Sequence, residues 1–176
     1  TKFSQFEPAA HIVAVYGGCV KSIYGDRLPS AYAKLLRRYT FGPGVAKVDF
    51  VLSDEIPWTD RRQATAATYH LGGTRAQMAH AEREIAAGRH AEWPMVLAAT
   101  PYTADPSRID AQGRRPFWTY AHVPAGSTVD QAATITGIME RFAPGFSDIV
   151  LAARSIPAAR LSGHDANYIG GDIGVG

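Results

Sequence analysis

The chain has 176 residues, and apolar residues make up 46% of them, which is enough for a continuous core and excludes wholesale disorder. Its 18 Lys and Arg residues nearly balance 16 Asp and Glu residues, and a net charge of +2 argues against a dedicated nucleic-acid-binding protein. One cysteine, Cys19, excludes an internal disulfide framework, and no apolar run approaches the roughly 20 residues that span a bilayer.

The first part of the chain predicts a strand, a helix and a second strand. Residues 9–16 are a short apolar run closed by two glycines, which is typical of a buried strand. Ser30 is a candidate N-cap for the helix. The apolar residues of this helix follow the spacing of one buried stripe: Tyr32, Leu35, Leu36 and Tyr39. Residues 45–52 alternate, which predicts a half-buried strand with Lys47 and Asp49 on its polar side.

Two further helices are each preceded by a capping-box pattern, in which a Thr is followed three residues later by a Gln. The first pattern starts at Thr74, and its helix runs to Gly88. The second pattern starts at Thr128. The apolar stripes predicted to face the core are Met78, Ala81 and Ile85 in the first helix, and Ile135, Ile138, Met139 and Phe142 in the second.

The remaining apolar runs predict four strands, at 66–71, 95–100, 117–123 and 148–156, with a short helical turn after Pro157. Long hairpin-type connections join 45–52 to 66–71, and 95–100 to 117–123, so the latter two strands are expected to form an antiparallel pair. The element order therefore predicts one α+β domain over residues 1–176, with a mixed, largely antiparallel sheet and helices packed on one face.

Common catalytic motifs are missing from the sequence. It contains no complete G-x-G-x-x-G between a strand and a helix, no Walker loop and no G-x-S-x-G. Cys19 follows a predicted strand and could be a nucleophile, or simply a small buried hydrophobic residue. His80 and Glu84 share a helix face, but a solvated face explains them as simply as a metal, so no metal ligand is assigned.

One predicted strand carries an unusual set of side chains. Trp118, Tyr120 and His122 share one face of the strand at 117–123, because side chains alternate along a strand with period 2. A face of this kind is apolar but carries polar tips. It suits an elongated hydrophobic ligand, or packing under a helix that satisfies those tips.

Several short segments occur in a specific order along nearly the whole chain. They are GDRLP at 25–29, FGPGV at 41–45, KVD at 47–49, IPW at 56–58, HLGGT at 70–74, GRH at 88–90, DPSR at 105–108, HVP at 122–124, GSTVD at 126–130, ERFAPGF at 140–146 and NYIGGD at 167–172. In this order they resemble the phytoene-desaturase-like FAD-dependent oxidoreductases, the group that includes carotenoid desaturases and retinol-saturase relatives.

The resemblance implies that this chain is the middle piece of a larger enzyme. Such enzymes have an N-terminal Rossmann-type FAD domain and a C-terminal segment that closes over the flavin, with a substrate domain between them. Residues 9–16 would then be the strand that returns from the flavin domain, and Cys19 inherits no family role. The start at Thr1 and the glycine-rich end, residues 170–176, suggest truncation.

The resemblance also implies where ligands would lie. A lipophilic substrate would contact residues of the aromatic strand and of the last loop: Trp118, Tyr120, His122 and Tyr168. Asn167, Gly170 and Gly171 would lie near FAD, and no catalytic acid or base is assigned. We expect FAD in the full-length enzyme and none on this chain alone, which would be inactive.

An alternative hypothesis is a stand-alone binding or dimerisation module with the same fold. Under both hypotheses an uncovered apolar patch would promote self-association. A hydrolase that uses Cys19 is a third hypothesis. We expect a cytoplasmic protein; a carotenoid-like substrate would favour peripheral membrane contact, but no basic amphipathic helix stands out in the sequence.

Overall fold

The computed structural model describes residues 27–174, so the strand predicted at 9–16 and Cys19 lie outside the described residues. The strands are β1 (Gly44–Leu52), β2 (Thr68–Leu71), β3 (Val96–Ala99), β4 (Arg115–Val123) and β5 (Val150–Ile156). The helices are α1 (Ser30–Leu36), α2 (Arg75–Ala86), α3 (Pro101–Ala104), α4 (Ala132–Phe142), α5 (Phe146–Ile149) and α6 (Ala158–Leu161). Short 3-10 turns lie at Arg61–Thr65, Pro106–Arg108 and Ile169–Gly171.

The strands of the described chain form one five-stranded open sheet in the order β2-β3-β4-β1-β5, and every neighbouring pair is antiparallel. The predicted α+β fold is confirmed, as is the antiparallel pairing of β3 with β4. The hairpin-type connection between β1 and β2 does not make them neighbours. Both edges of β1 are already occupied, because β4 and β5 pair with it, and β2 lies beyond β3.

The core lies on one face of this sheet and is built around three phenylalanines. Phe50 on β1, Phe117 on β4 and Phe146 on α5 contact one another with ring centroids 5.4–5.8 Å apart. Helix α4 covers the same face with residues that the sequence predicts to be buried: Ile135, Ile138 and Met139. Thr119 is buried on this face without cost, because its hydroxyl donates to the carbonyl of Val48 at 3.0 Å.

The two capping-box predictions have different outcomes. Thr74 forms the box: its hydroxyl accepts from the Gln77 N–H, while the Gln77 amide oxygen accepts from the Thr74 N–H at 2.8 Å. The prediction at Thr128 is wrong, because α4 begins at Ala132 and its first N–H is bound by the Asp130 carboxylate at 2.7 Å. The Ser30 N-cap is also wrong, since Pro29 occupies that position and no side chain caps α1.

Helix α1 exists where the sequence predicts it, but its stripe is not buried. No residue of α1 is buried, and Leu35 keeps 64% of its surface exposed. The predicted buried stripe is therefore wrong within residues 27–174, because Tyr32 and Leu35 stay exposed and Tyr39 lies beyond the end of the helix. Within that part of the chain, none of the helices has the length and apolar character needed to cross a membrane.

Two matched substitutions test whether Thr74 caps a helix and Thr128 does not. Thr74→Ala should lower the free energy of unfolding by about 1 kcal/mol, because it removes a side-chain acceptor from the start of α2. Thr128→Ala should leave the free energy nearly unchanged, because Thr128 caps no helix. Urea denaturation followed by circular dichroism measures both, and an equal loss for the two variants would contradict the assignment.

Candidate functional site

The face of the sheet opposite the core carries the aromatic row predicted from the sequence. Tyr120 lies at the centre of this open face, because β4 places it between Lys47 of β1 and Leu97 of β3. Trp118, Tyr120 and His122 are all half-buried. The predicted alternation is therefore observed: residues 117, 119, 121 and 123 are buried, and the three between them face the other side.

The three rings of this row are aligned with one another. The Trp118 and Tyr120 centroids are 6.4 Å apart with an interplanar angle of 18°, and the Tyr120 and His122 centroids are 6.2 Å apart at 8°. These separations fall within the range of interacting aromatic rings. Partial burial raises the pKa of Tyr120, so its hydroxyl stays protonated at neutral pH and can donate one hydrogen bond.

His122 is oriented by a carboxylate from another element. Its Nδ1 lies 2.8 Å from Oε1 of Glu82 on α2. An ionised carboxylate can only accept, so Nδ1 carries the proton and donates. The Nε2 atom makes no hydrogen bond within the described part of the chain, and it is therefore the ring nitrogen left for a ligand.

A cavity of about 310 Å³ opens beside this row. It is lined by Tyr120 and His122 from the sheet, by Gly42 and Pro43 before β1, and by the segment 172–174. The cavity thus joins the aromatic row to two of the glycine-containing segments that carry the sequence resemblance. It lies at the small end of the volumes that hold drug-sized ligands.

Asp172 connects the two glycine-containing segments that form one wall of this cavity. Its carboxylate accepts the N–H of Gly42 at 2.6 Å and the N–H of Gly174 at 2.8 Å, and the residue is only 4% exposed. Charge-assisted bonds of this kind are stronger than bonds between neutral groups. The wall is therefore held in place by a buried side chain that the sequence-based predictions did not include.

The loop that precedes Asp172 packs closely against the start of β1 and against α6. Gly171 has φ +84°, and a Cβ there would lie 2.6 Å from the Cβ of Ala158. A Cβ on Gly44 would lie 2.5 Å from the carbonyl oxygen of Gly170, which also accepts the Gly126 N–H at 2.7 Å. Packing and backbone geometry alone therefore account for glycine at 44 and 171.

Asn167 differs from its neighbours in this loop. Its backbone N–H and its Nδ2 both donate to Oδ1 of Asp165, at 2.9 and 3.0 Å. Its Oδ1 atom is buried and has no hydrogen-bond partner among the described residues. Buried side-chain acceptors are usually satisfied, so this oxygen is a candidate contact for a group that donates a hydrogen bond.

The structure brings together only part of the predicted site. Tyr120 and His122 line the cavity, and Trp118 continues the row away from it. Four predicted residues lie in the adjacent loop rather than in the cavity wall: Asn167, Tyr168, Gly170 and Gly171. Asp172 is adjacent to them in sequence and could have been found from that proximity. Glu82 carries no local signal, because only the tertiary fold brings α2 to β4.

A second cavity, of about 640 Å³, is lined by Trp58, Tyr102 and Glu55. Burial and, secondarily, the charge of Glu55 raise the pKa of Tyr102, so that its hydroxyl also stays protonated. Tyr102 lies on α3, within the long connection that the sequence predicts between the strands at 95–100 and 117–123. This cavity contains none of the predicted site residues.

The His80 and Glu84 pair does not form a metal site in the described part of the chain. Arg89 binds the Glu84 carboxylate through two hydrogen bonds of 2.7 Å and holds its pKa below the usual range. Among residues 27–174, no three His, Cys, Asp or Glu side chains are grouped so that they could hold a metal ion.

Neither the known protein-family models nor the curated proteins contain a match to this chain. The resemblance carried by the short sequence segments therefore stays a prediction.

The close packing of Gly171 gives a direct test of how the loop is held. Gly113→Ala is the matched control, because Gly113 has φ +78° but open space around a Cβ. Gly171→Ala should lower the free energy of unfolding by roughly 1–3 kcal/mol more than the control, because the added methyl group overpacks against Ala158. Chemical denaturation of both variants provides the comparison, and equal losses would show that the contact with Ala158 does not matter.

Proposed function

We propose that this chain is the substrate-binding portion of an FAD-dependent oxidoreductase of the phytoene-dehydrogenase-like type, acting on C–C bonds of a lipophilic substrate. One observation carries the proposal: the sheet has a buried face and an open face, and the open face presents an aligned aromatic row beside a glycine-rich loop. At its His122 end the row meets helix α2 through Glu82, so the part of the row that carries the proposal is Trp118 and Tyr120.

The open face supports a lipophilic substrate on one side of Tyr120. The β3–β4 half carries Leu97, Trp118 and Tyr120, whose half-buried apolar surfaces could cover an elongated hydrocarbon. The β1 half is charged, but Lys47 and Asp49 are ion-paired with each other. A hydrocarbon lying along β4 would therefore bury the rings without separating this ion pair from water.

His122 adds a polar group of fixed orientation to the aromatic row. Glu82 fixes the ring through Nδ1, and Nε2 is left to accept a hydrogen bond from a polar end of the substrate. The protonated hydroxyl of Tyr120 is the neighbouring donor. These two groups would orient the substrate, while Trp118 would exclude water from its apolar part. We assign neither of them as a catalytic acid or base.

The described residues fit a partial contact with a flavin rather than a complete site for it. The orphan acceptor of Asn167 and the small cavity next to Asp172 are suited to one edge of a large planar group. Bound FAD would supply a ring that accepts a hydride. The sequence has no complete G-x-G-x-x-G to hold the diphosphate, so we propose that other sequence holds most of the cofactor.

Retinol, a lipophilic polyene, is a suitable probe for the proposed surface. It should bind the 176-residue chain and quench tryptophan fluorescence, because Trp118 lies in the row. Tyr120→Ala should weaken this affinity by about tenfold, or ~1.4 kcal/mol, because it removes the central ring.

Tyr32→Ala is the matched control for that experiment, since Tyr32 lies on α1 and is not among the residues that line the cavity. Its affinity for retinol should equal that of the unmodified chain. A wild-type affinity in Tyr120→Ala, or no retinol binding at all, would overturn the proposed substrate surface.

The alternative, a stand-alone binding or dimerisation module, is favoured by a different observation. Tyr32 and Leu35 on α1 are 46% and 64% exposed, so an apolar stripe is uncovered among the described residues. A reading frame that encodes a G-x-G-x-x-G segment upstream would favour the oxidoreductase, whereas a start codon at this boundary would favour the module.

Self-association through α1 is expected under both proposals. Sedimentation velocity of the chain should show a species larger than the monomer, and Leu35→Glu should shift the protein toward monomer by placing a charge in the contact. Lys34→Glu, on the same helix, controls for the added negative charge and should leave the larger species in place. A monomeric wild-type chain would show that α1 mediates no self-association.

A further inference from the structure

We propose that a cleft between β5 and α6 binds a phosphate group. The cleft has a volume of about 770 Å³. Its polar lining consists of Arg154 and Ser155 from β5, Arg160 from α6, and Ser162 and His164 from the turn that follows. No residue assigned to the proposed substrate surface lines it, so the inference does not depend on that function.

The charge of the cleft is uncompensated. None of its lining residues is an Asp or a Glu, and neither arginine forms an ion pair within the described part of the chain. Asp49 is the residue opposite Arg154 on β1, but the Asp49 carboxylate is bound by Lys47. By contrast, several arginines elsewhere in the described chain are ion-paired: Arg62, Arg89, Arg108, Arg114 and Arg115.

Ser155 supplies an independent indication of a ligand. Its Oγ atom is shielded from solvent and has no hydrogen-bond partner among the described residues. Burying a hydroxyl without a partner destabilises the folded state, and such groups are uncommon in folded proteins. A ligand that reaches this hydroxyl would remove that cost, and Ser155 lines the cleft together with Arg154 and Arg160.

The backbone that carries these groups is held in place by hydrogen bonds and by packing. β5 is paired with β1 through Ser155, which lies opposite Val48. Helix α6 is anchored by buried Ala158 and Leu161, and the Ala159 N–H donates to the Ser127 carbonyl at 2.9 Å. The turn that bears His164 is closed by its own N–H, which donates to the Leu161 carbonyl at 2.9 Å.

A phosphate group fits this set of donors better than a carboxylate does. Guanidinium groups bind phosphate oxygens through paired N–H donors, and a tetrahedral phosphate can accept from arginines on two sides at once. The hydroxyls and the imidazole add further donors around it. The phosphate could belong to a free anion or soluble phosphoester, or to a lipid headgroup.

Isothermal titration of the 176-residue chain with inorganic phosphate tests the proposal, and flotation with vesicles of phosphatidic acid in phosphatidylcholine tests the lipid source. The Arg154→Gln/Arg160→Gln double variant should lose at least about tenfold in affinity, because two charge-assisted contacts are removed. The matched control is Arg75→Gln/Arg83→Gln on α2, where both arginines are exposed and outside the cleft. The control should bind as the unmodified chain does.

Ser155→Ala separates a ligand role from a structural role. The variant should bind phosphate more weakly, by about threefold, without a lower thermal unfolding temperature, because the hydroxyl has no partner within the described chain. Phosphate binding that depends on the arginines supports a soluble ligand, and vesicle binding that depends on them supports a headgroup. Binding in neither assay, or equal losses in the cleft and control double variants, would overturn the proposal.

Discussion

The antiparallel pairing of β1 with β4 is the constraint on which the rest of this structure depends. The ladder runs without interruption from Gly44 opposite Val123 to Leu52 opposite Arg115. Because side chains alternate along both strands, this one register assigns Phe50 and Phe117 to the core and the row at Trp118, Tyr120 and His122 to the other face. A shift of β1 by one residue would turn the charged pair of Lys47 and Asp49 toward the core and Phe50 toward the open face, while Phe117 of β4 stayed in the core.

The candidate site forms at one end of that ladder, where three distant segments meet. Gly44 begins β1 and allows the carbonyl of Gly170 to approach, while the carboxylate of Asp172 binds the N–H of Gly42. The Asp172 carboxylate is buried, and a buried charge is stable only where hydrogen bonds compensate its lost hydration. Its hydrogen bond to Gly42 therefore helps to hold these distant segments together. The wall of the cavity is thus a product of the same packing that completes the sheet.

Part of this arrangement was predictable because it depends on local periodicity. The strands, the cap at Thr74 and the shared face of Trp118, Tyr120 and His122 follow from period 2, period 3.6 and the spacing of a Thr and a Gln. The same rules were wrong at Thr128 and about the stripe of α1. At Thr128 a neighbouring carboxylate, Asp130, bound the first N–H of α4 instead, and along α1 a helical period says nothing about whether another element covers it.

The sequence by itself therefore determined the α+β class of this protein, most of its helices and strands, and which residues share a face. These features depend on residues that are close together in the sequence. The tertiary structure alone decided that β1 pairs with β4 and β5 rather than with β2, that Glu82 orients His122, and that Asp172 closes one wall of a cavity. The physical reason is sequence distance. Hydrogen bonds between residues 40 and 130 positions apart leave no periodic trace in the chain, and they form only after the sheet has brought its ends together.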